Sequence, residues 1–237
     1  MNRILNCHNG DLPRYRGNAT PNWAIINSED KITLSIYFIE PHVIDAGRIV
    51  AQSELSLTKD TTIAEVYTWL EEQTPITLVA ALGRLQRDPK STLKYANPNS
   101  EESFRCYPRR PEDDLINWHQ SVKNTHNLIR ASGPPFQGAY TYYIYKDKIR
   151  KLKILKSRIV ATGSTDLAQP GQVVENNSLT GETLVRCGKG TMAILECQHS
   201  VEPRSFLPGK RYKSIRKRLC IQPEEWSWFI LEQLKKQ

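Results

Sequence analysis

Ile4-Leu5-Asn6-Cys7-His8, followed by Asn9-Gly10-Asp11-Leu12-Pro13-Arg14-Tyr15-Arg16-Gly17, is the stretch on which the reading of this chain turns. Ile4 and Leu5 begin a short apolar strand, and Gly10, Pro13 and Gly17 break any regular element after it. Asn6 and His8 are two residues apart, so both side chains point to one face of an extended strand. Carboxyl ends of strands are where α/β proteins place reactive side chains. An amide donor beside an imidazole stabilises charge developing on a carbonyl oxygen, and the imidazole can instead move a proton. The structural alternative is a histidine that closes a loop by hydrogen bonds, and spacing by itself favours that alternative.

Working outward, Thr20-Pro21 is a helix start, with a hydroxyl at the N-cap and proline at the first helical position. Trp23 and Ile26 would face inward from that helix. Lys31 to Ile39 alternates, with Ile32, Leu34, Ile36 and Phe38 on one face and Thr33, Ser35 and Tyr37 on the other, as a period-2 strand does. Asp45-Ala46-Gly47 then forms a turn. Its aspartate can simply bend the turn, or its carboxylate can orient an imidazole.

Residues 61–87 read as helix, opened by a Thr62/Glu65 capping box and kinked or split at Pro75. Residues 88–114 are polar and loop-like, and a further helix fits 117–131 with Trp118, Val122, Leu128 and Ile129 on one side. From residue 139 short aromatic and β-branched strands follow, with a hairpin turn at Gly188-Lys189-Gly190. Residues 223–236 make a terminal helix with Trp226, Phe229, Ile230 and Leu234 as its packing stripe. The expected fold class is α/β: a domain of strands and helices over residues 1–150, then a small β-barrel-like domain with a terminal helix over 151–237.

The 237 residues carry 33 Lys and Arg against 25 Asp and Glu, a net charge of +8. That balance favours anionic partners without choosing among nucleic acid, a nucleotide and a polyglutamylated cofactor. Residues 203–218 hold seven basic side chains and no acidic one. They read as a solvated loop or as a phosphate-binding lip. No apolar run approaches the roughly 20 residues of a membrane span. No secretory signal is expected at the start. Cys7, Cys106, Cys187, Cys197 and Cys220 lack the spacing of a zinc knuckle or redox motif and read as reduced thiols in a cytoplasmic protein.

Several of these segments, in order, resemble the formyltetrahydrofolate-dependent formyltransferases. Asn6-Cys7-His8 with Leu12-Pro13-Arg14-Tyr15-Arg16-Gly17, Pro21 and Trp23-Ala24-Ile25 is similar to that family's catalytic segment. Ile36 to Ile39 through Asp45-Ala46-Gly47-Arg48-Ile49 resembles its Asp-x-Gly turn, with alanine where threonine is usual. Tyr107-Pro108-Arg109-Arg110-Pro111-Glu112-Asp113-Asp114 through Trp118, then Asn127 to Ala131 and Pro135 to Ala139, is similar to a third family segment. The resemblance covers most of residues 4–160, and residues 170–197 look like the small β domain of several members.

The resemblance implies a parallel-sheet, Rossmann-like catalytic domain, N-terminally truncated here, and formyl transfer from 10-formyltetrahydrofolate to a primary amine, with no metal needed. Asn6 would donate to the developing oxyanion, His8 would stabilise it or relay a proton, and Asp45 would hold His8. Tyr107, Arg109 and Arg110 would bind the acceptor or its phosphate. The polar residues after His8 lean towards a nucleotide-linked amino sugar as acceptor. Initiator tRNA is the alternative, and a truncated, inactive homologue whose basic β module binds nucleic acid is the non-enzyme reading. A homodimer is left open. The family's folate site also uses a parallel-sheet half ahead of the Asn-x-His strand, which is expected to be missing from these 237 residues, and without it folate turnover would be weak.

Overall fold

The computed structural model describes residues 4–88, 93–145, 148–161, 167–200, 202, 204–212, 214–221 and 223–235. Residues 89–92 of the expected loop, Asp147 at the expected domain boundary, Pro203 and Lys213 of the basic stretch and Lys236 of the terminal helix lie outside them. The chain divides into two compact units, Met1–Asp113 and Asp114–Gln237. The boundary expected near residue 150 falls instead inside a strand, Lys148–Ile159, that pairs along its length with Ala139–Tyr145. Aromatic composition changes at 139, but the hairpin it begins cannot be cut without breaking its ladder.

The first unit holds a four-stranded sheet in the order β1 (Leu5–His8), β3 (Lys31–Phe38), β4 (Gly47–Ser56), β5 (Tyr95–Ala96), antiparallel at each ladder. The parallel pairing in this unit joins β2 (Tyr15–Gly17) to β6 (Phe104–Cys106). The eight-residue link 39–46 between β3 and β4 is a hairpin-length connection, and a parallel return would need a longer crossover. β3 is central and buried on both faces: Leu34 and Ile36 are fully covered, and so are Thr33, Ser35 and Tyr37. The alternation of its side chains therefore separates two interior surfaces rather than an inside from an outside.

Helix α1 (Thr20–Ile26) begins as expected, but its N-cap is Ala19 in the left-handed region, and the Thr20 hydroxyl donates to the Asn9 carbonyl instead. Thr20, Pro21, Asn22, Ala24 and Ile25 are its buried residues, while Trp23 and Ile26 stay half-buried. Helix α2 (Ile63–Arg87) carries the full capping box: Thr62 N–H donates to Glu65 Oε2 at 2.7 Å, and Glu65 N–H returns to Thr62 Oγ1 at 3.4 Å. Pro75 lies inside this helix without splitting it. The carbonyl it leaves without a partner belongs to Glu71, on an exposed position where water can serve.

The second unit is built on a six-stranded antiparallel half-barrel sheet. Its path runs β7 (Ala139–Tyr145), β8 (Lys148–Ile159), β11 (Thr191–His199), β10 (Thr183–Arg186), β9 (Val173–Asn176), with β12 (Ser205–Phe206) also on β11. Gly190, at φ +91°, closes the β10–β11 hairpin as read from sequence. Helix α3 starts at Val122, not 117, because Ser121 caps it through Asn124 N–H, and it ends at Ser132. Trp118 sits before it as a core side chain, donating Nε1–H to Thr141 Oγ1 at 3.0 Å. A short helix α4 (Pro208–Arg211) follows β12, and α5 (Pro223–Leu234) ends the unit. Trp226 packs edge-on against Tyr142, whereas Ile230 and Leu234 of the expected stripe are exposed. Among the described residues no helix is long and apolar enough to cross a membrane.

Two outcomes follow from this packing. Thr62→Ala removes one side of the capping box and is expected to cost about 1 kcal/mol in urea denaturation. Burial pushes the Tyr37 phenol up to about 12 from 10.0, and burial also raises Tyr15, Tyr143 and Tyr212. The unfolded chain then loses phenolic protons first, so the stability these groups supply is complete below about pH 10 and drains away as the pH climbs towards about 12. Urea midpoints that stayed level across that interval would contradict the burial.

Candidate functional site

Antiparallel register assembles the site. Asn6 lies directly opposite Tyr37, and His8 opposite Ser35, so the β1 pair and the β3 pair share one face. Asn6 Nδ2 donates to the Tyr37 hydroxyl at 3.0 Å, and that hydroxyl donates to Asp45 Oδ1 at 2.8 Å. Asp45 Oδ2 accepts from Gly17 N–H at 2.7 Å and lies 3.7 Å from His8 Nδ1. The three residues singled out in the sequence thus meet in one cluster, with a tyrosine between two of them.

The His8 tautomer follows from its other nitrogen. Nε2 is 2.6 Å from the Tyr15 carbonyl oxygen, which can only accept, so Nε2 carries a hydrogen. Nδ1, facing the carboxylate, is left as the nitrogen that can gain or lose a proton. Both the loop role and the charge-handling geometry are therefore present in the same ring. Gly10 is the residue that makes this possible, since a Cβ there would run into the Tyr15 carbonyl and the His8 ring. Ser35 Oγ donates to the Gly10 carbonyl at 2.7 Å and accepts from Gln52 Nε2 at 2.9 Å, so β3 and β4 hold the loop against the imidazole.

Side chains from the loop fix the rest. Tyr15 donates to Glu29 Oε1 at 2.8 Å, and Arg14 reaches the same oxygen at 2.9 Å. Arg16 donates to Ser103 Oγ at 2.8 Å and to the Ile44 carbonyl at 3.2 Å, next to Asp45. Asp45 itself is left-handed at φ +50°, a conformation that aspartate tolerates better than most residues. Gly47, at φ +138°, passes so close to the Phe38 carbonyl that a side chain has no room.

The second group of sequence candidates lies along β6 and beyond it. Gly17, whose N–H holds Asp45, is paired with Cys106, and Asn18 N–H donates to the Cys106 carbonyl at 3.0 Å. A cavity of about 280 Å³ opens here, lined by Trp23, Asn27, Phe104, Arg105, Cys106 and Tyr107. Trp23 Nε1 donates to the Tyr107 carbonyl at 2.9 Å. The Arg105 guanidinium lies 5.4 Å from the centre of the Tyr107 ring, and Arg109 lies 5.8 Å from that of Trp23. Arg110 has its backbone N–H on Asp113 Oδ2 at 2.7 Å and its side chain in solvent. Burial pushes the Cys106 thiol up to about 11.

Tyr37, Trp23, Phe104 and Arg105 were not singled out by sequence reasoning for these roles. The signal for Tyr37 was its place on the same strand face as Ser35, which becomes decisive only with the cross-strand register. Trp118, placed on the apolar side of an expected helix, belongs to the core of the second unit.

Residues 1–82 match the formyl transferase family, and residues 109–211 match the formyl transferase C-terminal domain. Among solved structures the chain is similar to HypX from Aquifex aeolicus, at 17% identity and a TM-score of 0.60, over 90% of this chain and 36% of that one. It is similar to WlaRD, a sugar 3N-formyltransferase, at 19% identity and a TM-score of 0.59, over 84% of this chain and 66% of that one. It is also similar to the N-formyltransferase from Helicobacter canadensis, in complex with folinic acid and dTDP-3-aminofucose. There the identity is 21% and the TM-score 0.57, over 83% of this chain and 66% of that one. The chain thus spans less than two thirds of each of these proteins, and at such identities the likeness speaks for the fold. With its two family matches in chain order and together taking in most of its residues, the chain belongs to the formyltransferase family.

Proposed function

We propose that this chain transfers a formyl group from 10-formyltetrahydrofolate to the primary amine of a nucleotide-linked amino sugar. The observation that carries the reading is the convergence of the Asn6 amide, the His8 imidazole and the Asp45 carboxylate on one face of β1 and β3. This donor set fits a carbonyl group. One Asn6 N–H goes to Tyr37, and the other has no partner among the described residues.

10-Formyltetrahydrofolate supplies a formyl carbon bonded to a nitrogen that can depart as an amine. As the acceptor nitrogen bonds to that carbon and the old carbon–nitrogen bond breaks, the acceptor sheds one proton and the departing nitrogen gains one. Asn6 donates to the formyl oxygen as it takes up charge. Asp45 accepts a proton, and His8 Nδ1, 3.7 Å away, holds or returns one, so a single pair balances the exchange. The Tyr15 carbonyl keeps the ring from turning while this happens.

For the acceptor, the cavity beside Tyr107 supports a nucleotide. Trp23, Phe104 and Tyr107 offer flat apolar faces for a base, and Arg105, with Arg109 over the Trp23 ring, brings cations for a diphosphate. The complex of the Helicobacter canadensis enzyme with dTDP-3-aminofucose is in keeping with this choice. A tRNA acceptor is favoured by a different observation, the exposed Arg204, Lys210 and Arg216 of the second unit. Either reaction suits a cytoplasmic enzyme.

His8→Ala and Asp45→Asn are each expected to lower kcat by about a hundredfold or more with the fold intact by circular dichroism. Near-native turnover by His8→Ala would remove the site assignment. Arg105→Ala and Arg109→Ala are expected to raise the acceptor KM about tenfold while leaving kcat nearly unchanged, the pattern of lost ground-state binding. In a thermal-shift comparison, dTDP should raise the melting temperature and tRNA should not. The reverse result transfers the acceptor assignment to tRNA.

A further inference from the structure

We infer that Tyr37 is a positioning residue that fixes which way the Asn6 amide points. The hydroxyl has a single proton, and that proton goes to Asp45 Oδ1 at 2.8 Å, because a carboxylate oxygen can only accept it. The phenolic oxygen is then left as an acceptor towards Asn6, 3.0 Å away. Only the nitrogen end of an amide can meet an acceptor, so the –NH2 of Asn6 is turned to Tyr37 and cannot flip without losing the bond. One of its hydrogens is engaged, and the second is aimed away from Tyr37 with a fixed direction.

Three features make this chain of donors stable in one polarity. Asp45 Oδ2 is occupied by Gly17 N–H at 2.7 Å, which holds the carboxylate from its other side. Tyr37 is 2% exposed, so water does not compete for its hydroxyl. Asn6 and Tyr37 are direct cross-strand partners, so the β1–β3 ladder keeps the two side chains abreast. Because Tyr37 is buried, it acts through the residues it bonds, Asn6 first and Asp45 beside it, rather than on the substrate.

The inference rests on the formyl-transfer reading for its kinetic consequence and on geometry alone for its spectroscopic one. The test uses the full chain, its Tyr37→Phe and Asn6→Ala variants and the double variant. Steady-state formyl transfer and ¹⁵N NMR of the Asn6 side-chain amide are recorded for each protein that retains Asn6, and kinetics for all. Tyr37→Phe should lower kcat by about tenfold to a hundredfold and keep both KM values within about twofold. Its Asn6 –NH2 hydrogens should lose the protection from exchange that one of them has in the parent protein. Adding Tyr37→Phe to Asn6→Ala should slow the reaction by clearly less than the product of the two single losses, because only the bond to Asp45 is then left for Tyr37 to act through. Parent-like Asn6 signals in Tyr37→Phe, or losses that multiply in the double variant, would overturn the assignment. If the parent chain transfers no formyl group to any amine, the functional reading fails, and the NMR comparison still decides the positioning role.

Discussion

A carboxylate removed from bulk water is unfavourable unless its oxygens are given donors. Asp45 is shielded in this way, and its two oxygens are taken by the Gly17 N–H and the Tyr37 hydroxyl, with His8 Nδ1 beyond. The two donors and the imidazole come from three different strands: β2, β3 and β1. The carboxylate thus ties the loop after β3 to all three and fixes where β1 presents Asn6 and His8. Without that tether the turn at 45–47 would have no reason to fold back over the sheet. Arg16 strengthens it by holding the neighbouring Ile44 carbonyl.

What could be read in the sequence was local. The capping box at Thr62 and Glu65 is set by a three-residue spacing, and it forms as read. Asn6 and His8 share a face because strand side chains alternate, and they do. Asp45 was legible as a turn residue, and its pairing with His8 as an option. Tyr37 was not legible, because period two sorts side chains onto faces but does not say which face is covered or what lies opposite. The strand order was hidden for the same reason: no pattern within β1, β3 or β4 states that they run antiparallel. The domain boundary was misplaced because composition changes at the start of a hairpin, while the chain parts company with the first unit earlier, in the polar segment around Asp113.

The second unit shows why a run of like charge is a poor guide to free charge. Arg211 is held by both oxygens of Glu202, at 2.8 and 2.9 Å, and its guanidinium lies 4.5 Å from the centre of the Phe206 ring. Lys217 sits among the rings of Tyr143, Tyr145 and Tyr212, at 5.6, 5.0 and 4.1 Å, and its partial burial lowers its affinity for a proton. Two of the seven basic residues in this stretch are therefore part of the packing around His199 and Phe206. Any polyanion that binds here meets fewer mobile cations than the sequence count implies.

The hydrogen bond from His8 to the Tyr15 carbonyl has a consequence for the kinds of molecule that can disable the site. Zinc and copper usually seize a histidine through a bare ring nitrogen. Here one ring nitrogen is shut off by the main chain, and the other looks onto a carboxylate already satisfied by two donors. Each Asp45 oxygen keeps a second lone pair, so a stray transition metal could reach only Nδ1 and that carboxylate, never Nε2. The arrangement that orients the imidazole also narrows the ways a trace metal could attach to it from two ring nitrogens to one.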